Sequence, residues 1–239
     1  MRLELDGRLK LIADKVPECE IVADIGTDHA YVPIYLIQQR KCKRAIASDV
    51  KIGPVRIAQR NISKYKMEDM IETRLGSGLE TIEKNEVDAI IIAGMGGTLL
   101  SELLEADKEK VCCKDVMLVL QPMNDLDIVR KWLYDHQFDI YDEELSREGN
   151  KIYCIMAARF IGQNRNYKDF ELHVGECLIK KKDPLLQPYC EMKIRQINRV
   201  LSQLEDMSDN SRLLDYYQGL KANYLKLVMQ IKEENSSTN

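Results

Sequence analysis

The chain of 239 residues predicts an α/β fold: a mostly parallel sheet closed by an antiparallel hairpin, followed by a small helical coiled-coil domain. Three observations carry this. Short apolar runs alternate with helical patterns through residues 1–160, as in sheets whose parallel strands are joined by helices. Two further apolar runs, 138–145 and 151–160, flank Arg147-Glu148-Gly149-Asn150, a hairpin turn signal. Beyond about Arg165, apolar residues recur at three- and four-residue spacing instead. The expected domains are therefore 1–160 and 161–239.

In order, a helical pattern at 4–15 precedes an apolar strand at 21–25, which ends in a glycine-punctuated acidic turn. A helix follows at 30–40, then a strand at 45–48, a helix at 53–66 and a strand at 71–75. The apolar runs 87–93 and 116–121 supply two more strands, each followed by a helix, at 97–106 and 125–136. In the second part, Ile194, Ile197, Leu201 and Leu204 form one stripe. Tyr217, Leu220, Tyr224, Leu227 and Ile231 form another, with Ser208-Asp209-Asn210-Ser211 as a breaker between them. Two such helices are too short to stand alone and predict an antiparallel hairpin entered past Pro184 and Pro188. Residues 233–239 are expected to fray.

A hydrophobic fraction of 45% with 31% charged residues fits a soluble globular protein. No run approaches the ~20 apolar residues of a membrane span, and residues 1–6 lack a signal-peptide core. Seven cysteines, odd in number and without a CxxC pair, point to a reduced cytoplasmic setting. His29, His136 and His173 lie far apart, and no metal site is expected. The net charge is −4, yet residues 40–66 carry Arg40, Lys41, Lys43, Arg44, Lys51, Arg56, Arg60, Lys64 and Lys66 against Asp49 alone. That segregation fits either a basic face for a phosphate backbone or an ordinary solvated helix surface.

The run Val22-Ala23-Asp24-Ile25-Gly26-Thr27-Asp28-His29-Ala30-Tyr31 is the most informative stretch. A glycine at the carboxyl end of such a strand lets a ligand approach the backbone. The turn supplies the carboxylates Asp24 and Asp28 where a GxGxxG loop would expose N–H groups, so it disfavours a pyrophosphate. It suits a ligand carrying positive charge, hydroxyls or an amino group, and S-adenosylmethionine is the common one. Asp28 could instead cap the following helix. Asp49, after Ala45-Ile46-Ala47-Ser48, sits where acids accept hydrogen bonds from ribose hydroxyls.

Gly76-Ser77-Gly78 follows the third strand and could frame an adenine ring, although glycine pairs are common in loops. Ala93-Gly94-Met95-Gly96-Gly97 follows the fourth strand, where bare backbone would admit a ligand or a base; a tight strand–helix turn is the plainer explanation. Gln121 or Asn124, after the fifth strand, could hydrogen-bond a base edge, and Asn124 could equally cap the next helix. The absence of GxSxG and Walker motifs removes support for hydrolase and NTPase readings.

Taken together, ADIGTDHAY, IASDV, GSGL, AGMGGTL and LQP, in this order and followed by a helical extension, resemble the bacterial tRNA (adenine-22, N1)-methyltransferases. The resemblance implies a Rossmann-like class I methyltransferase domain, a coiled-coil domain, S-adenosylmethionine as methyl donor and tRNA as substrate. It implies that Asp24, Gly26, Thr27, Asp28, His29, Asp49, Val50, Gly76, Ser77, Gly78, Ala93, Gly94 and Met95 surround the donor. Asp49 stands where many relatives carry Glu, and Ser77 where the family pattern carries Asp or Asn. Asp28 and Gln121 are the expected catalytic residues, Asp28 beside the developing charge and Gln121 orienting the base. Arg8, Lys10, Arg56, Arg60, Gly96 and Gly97 are expected on the substrate side. The remaining alternatives are a methyltransferase acting on another RNA or a small molecule, and a non-catalytic donor-binding interaction protein. The oligomeric state stays open, with a monomer preferred.

Overall fold

In the computed structural model, seven strands form one mixed sheet: β1 (Cys19–Ile25), β2 (Cys42–Asp49), β3 (Ile71–Leu75), β4 (Ala89–Met95), β5 (Met117–Pro122), β6 (Phe138–Glu148) and β7 (Lys151–Phe160). Their order is β3-β2-β1-β4-β5-β7-β6, the first five parallel and the last two antiparallel. The structure describes residues 2–205 and 211–236. It comprises two units, Met1–Tyr167 and Lys168–Asn239, so the division falls past the expected residue 160.

The central strands read as nearly continuous apolar runs because both faces of the sheet are covered. Successive side chains of a strand point to opposite faces. Val22, Ala45, Ile91 and Val119 join a core with α1 (Gly7–Lys15), α2 (Tyr31–Gln38) and α3 (Ile52–Lys64). The intervening Ile90, Ile92, Leu118 and Leu120 are equally buried. α4 (Gly97–Ala106) and α6 (Leu126–Asp135) pack on each other, α4 also against β4 and α6 against β6. The five expected parallel strands, the five helices and the hairpin are all present, with ends displaced by a few residues. Gly149, at φ +56°, opens a two-residue loop in which Glu148 pairs with Lys151. The short helix α5 (Lys108–Val111) and a 3-10 turn at Gly78–Thr81 were not expected, since single turns carry no hydrophobic period.

Sheet order places the site. The chain leaves β1 towards β2 and β3, then returns to β4 on the other side of β1. The crevice between β1 and β4 at their carboxyl ends is thus the topological switch point, where open α/β sheets bind ligands.

The second unit holds α7 (Asp169–Val174), α8 (Glu176–Lys181), α9 (Leu186–Glu205) and α10 (Ser211–Ser236). α9 and α10 pack on each other. Ile197, Leu201, Leu204, Tyr224 and Leu227 of the expected stripes are buried, and Val228 joins them. Ile194, Tyr217, Leu220 and Ile231 are half-buried. α10 remains helical through Ser236, so fraying from residue 233 is not observed there. The breaker positions 208–210 and the tail 237–239 lie outside the described residues. No helix among the described residues is long and apolar enough to cross a membrane.

One buried charge pair ties α6 to β6: Arg130 Nε donates to Glu143 Oε1 at 2.8 Å, with both side chains wholly inaccessible. Removing one member leaves the other charged in a dry core, typically a loss of about 3–5 kcal/mol. Arg130→Leu should therefore lower unfolding stability by about that amount in urea titrations. Replacing both residues with apolar ones of similar size should recover much of it.

Candidate active site

The strand register brings the expected site to one sheet edge. Ile25 lies opposite both Ser48 and Ile92, Asp49 opposite Leu75, and Ala93 opposite Gln121. At the switch point opens a cleft of about 420 Å³, within the range of small-molecule sites. Its walls include Arg8, Asp24, Gly26, Thr27, Asp28, His29, Ala93 and Gly94.

Gly26 is at φ +79°, a conformation that favours glycine. The N–H groups of Gly26 and Thr27 both donate to the Ser48 carbonyl at 2.8 Å, which fastens the turn to β2. Thr27 Oγ1 accepts the Ala30 N–H at 3.1 Å. Thr27 therefore supplies the side-chain bond at the start of α2, and Asp28 does not cap it. Asp28 remains exposed and meets His29 Nε2 at 3.1 Å, while the His29 ring stacks on Tyr31. Asp24 behaves differently. It is 8% exposed, and burial pushes its carboxyl up to about 6, opposed by a hydrogen bond from Thr27.

Farther along the edge, Asp49 Oδ1 accepts the Lys51 N–H at 2.7 Å, and the Gly76 N–H donates to the Asp49 carbonyl at 3.1 Å. Val50 is exposed. The Ser77 N–H is held by the Glu80 carboxylate. Gly78 is at φ +52°, and a Cβ there would lie 2.5 Å from Leu103 Cδ2. Local packing thus accounts for that glycine. Asp49, Val50, Gly76, Ser77 and Gly78 continue the same edge outside the cleft wall.

The five residues after β4's apolar run divide by role. The register between β4 and β5 shifts at Gly94, which is at φ +79° and exposes bare backbone to the cleft. Met95 lies over Gly26, its Cε 2.1 Å from where a Gly26 Cβ would be. Gly97 is explained by packing: its Cβ would sit 2.5 Å from the carbonyls of Asn124 and Asp125. Gly96 likewise faces Asn124 Oδ1 at 3.1 Å. Asn124 Oδ1 accepts the Gly97 N–H at 3.2 Å, serving the start of α4 and not the helix after it.

Gln121 is wholly inaccessible. Its Nε2 donates to the Pro122 carbonyl at 2.9 Å, and its Oε1 is taken by Arg8 Nη1. The direct contact with a base expected of Gln121 is therefore not offered: its amide is occupied, and Arg8 stands at the cleft wall instead. Of the four basic residues expected on the substrate side, Arg8 alone reaches the cleft. Lys10 pairs with Asp14, and Arg56 and Arg60 are exposed on α3. Glu148 and Tyr153, which hold Arg8 from the β6–β7 hairpin, were missed because nothing local in their sequence signals a partner so far away. Among the described residues, no cluster of three or more His, Cys, Asp or Glu is placed to hold a metal ion.

The burial of Asp24 has a stability consequence. Its folded carboxyl titrates near 6 and an ordinary one near 3.8, so the folded state holds the proton more tightly. Stability therefore falls as pH rises between those values, and the cost, on the order of 2–3 kcal/mol, is complete above about pH 7. Asp24→Asn should raise the melting temperature of the ligand-free protein at pH 8 and leave it nearly unchanged at pH 4.

Residues 5–156 match the methyltransferase domain family. The tRNA (adenine(22)-N(1))-methyltransferase of Bacillus subtilis is 34% identical over 214 residues, covering 88% of this chain and 90% of that protein. The crystal structure of the B. subtilis M1A22 tRNA methyltransferase TrmK superposes with a TM-score of 0.83 at 31% identity, covering 96% of this chain and 99% of that one. The structure of M. capricolum TrmK with S-adenosyl-homocysteine gives a TM-score of 0.77 at 26% identity, over 95% and 98% of the two chains. The mixed sheet, the switch-point cleft and a match along nearly the whole chain converge: this protein belongs to the bacterial tRNA (m1A22) methyltransferase family of class I S-adenosylmethionine-dependent methyltransferases.

Proposed function

We propose that this protein transfers the methyl group of S-adenosylmethionine to N1 of an adenine in tRNA, with adenine 22 as its target. One observation carries this reading. The cleft joins a buried carboxylate, Asp24, to bare backbone at Gly26 and Gly94, in a chain that matches its tRNA-modifying relatives from end to end. These residues fit the donor, whose ammonium and sulfonium call for carboxylates and whose bulk calls for glycine.

When bound, the donor supplies an electrophilic methyl. Adenine N1 has an in-plane lone pair, so no protein nucleophile is needed. The chain's task is to align the reacting atoms and to favour the positive charge that develops on the base. Asp28, exposed beside His29, and the carbonyls of Gly94 to Gly96 are the groups assigned to that charge. Asp24, Gly26, Thr27 and Ala93 hold the methionine end, and Asp49, Val50, Gly76, Ser77 and Gly78 the nucleoside end. An adenine paired in a stem hides N1, so local opening of the tRNA accompanies binding. Lys10, Arg56 and Arg60 are assigned to phosphate contact. α9 and α10 form the coiled-coil domain that grips the tRNA, and the protein works as a cytoplasmic monomer.

The test is a transfer assay with labelled donor and total bacterial tRNA. Label should enter tRNA, map to adenine 22, and fail to enter tRNA already carrying N1-methyladenine at that position. Asp24→Asn should lose donor affinity by at least about ten-fold, the scale of one hydrogen bond to a charged group. Labelling of protein or small metabolites instead of tRNA would overturn the assignment.

A further inference from the structure

We propose that Arg8 binds the α-carboxylate of the methyl donor, and that with Asp24 it recognises the donor's zwitterionic end as a charge pair. The inference rests on the donor assignment above and extends it to a residue of the N-terminal helix.

Arg8 is the second residue of α1, yet its guanidinium reaches the cleft wall at the carboxyl ends of β1 and β4. The hairpin and β5 hold it there. Nη1 donates to Gln121 Oε1, and Gln121 is locked in turn by its bond to the Pro122 carbonyl. The Arg8 main-chain N–H donates to Glu148 Oε1 at 3.0 Å, and the other Glu148 oxygen lies 3.8 Å from Nε. The guanidinium carbon sits 5.2 Å from the centroid of the Tyr153 ring. These contacts fix the plane of the fork without using it up. Among the described residues, Nε is buried without a hydrogen-bond partner, and Nη2 donates to none. Nη1 lies 4.0 Å from where a Gly94 Cβ would be, so the group borders the bare backbone of the bulge.

A pre-organised guanidinium with uncommitted donors, facing a half-enclosed cleft, is a site for an anion. An RNA phosphate and a donor carboxylate share that chemistry. The carboxylate is favoured because Arg8 shares one cleft with Asp24, while Arg56 and Arg60 are exposed on α3. The amino and carboxylate groups of the donor's methionine end leave the same carbon. A cleft with Asp24 on one strand and Arg8 beside the next matches both charges at once. In this arrangement Gln121 is a positioning residue that acts through Arg8.

The experiment is calorimetric binding of S-adenosylmethionine and of decarboxylated S-adenosylmethionine, which lacks only the carboxylate, to wild type and to Arg8→Gln. Wild type should bind the intact donor about ten-fold or more tightly than the decarboxylated one. Arg8→Gln should lose most of that ratio, mainly through weaker binding of the intact donor. Arg8→Lys, which keeps the charge but loses the fork, should retain a preference for the intact donor. The ratio is internal to each protein, so a general loosening of the fold cancels from it. The proposal is overturned if Arg8→Gln discriminates as wild type does, or if wild type does not discriminate. It is likewise overturned if Arg8→Gln binds donor normally and only tRNA more weakly, which would assign the guanidinium to phosphate. Failure of wild type to bind either compound would instead overturn the donor assignment itself.

Discussion

The burial of Asp24 is the constraint around which the site is arranged. A carboxylate at the end of a central strand, largely out of water, is costly unless something in the cleft compensates it. The Thr27 hydroxyl does so only in part, since the carboxyl still titrates well above the ordinary range. The turn that holds it is fixed to the neighbouring strand by two N–H bonds to Ser48, so the group cannot swing out without breaking the sheet edge. Such a site favours a cation brought in by a ligand. The stability lost to the unfilled cleft is the counterpart of affinity gained on filling it.

The fold supplies the cleft through topology alone. Because β4 returns on the far side of β1, the loops after these strands diverge and leave a crevice that no side chain of the core fills. The two glycines at positive φ, Gly26 and Gly94, occupy facing lips of that crevice. The hairpin of β6 and β7 covers the far edge of the parallel strands and has a second use: Glu148 and Tyr153 hold the side chain that α1 sends into the cleft.

Much of this is legible in the sequence where the signal is local. The apolar run ending in Asp24-Ile25-Gly26 marks a buried strand and its ligand-facing turn within a few residues. The Gly149-Asn150 pair marks the hairpin just as briefly. What could not be read depends on distant partners. Gly97 resembles a ligand-facing glycine until the loop at Asn124 and Asp125 is seen packed against it. Gln121 looks available at a strand end, and only the three-dimensional arrangement shows Arg8 occupying its amide. Arg8 itself reads as one more surface base, since the contacts that draw it inward come from residues more than a hundred positions away. Asp28 carries both a capping and a ligand-binding pattern, and Thr27 makes the bond that decides between them.

The most direct measurement is the pH dependence of donor affinity, followed by calorimetry between pH 5 and 7 for wild type and Asp24→Asn. If the ionised Asp24 holds the donor's ammonium, wild-type affinity should climb with pH through about 6 and then level off, while the variant binds weakly and without that rise. A wild-type affinity that is flat across this range, together with an Asp24→Asn protein that binds equally well, would contradict the account.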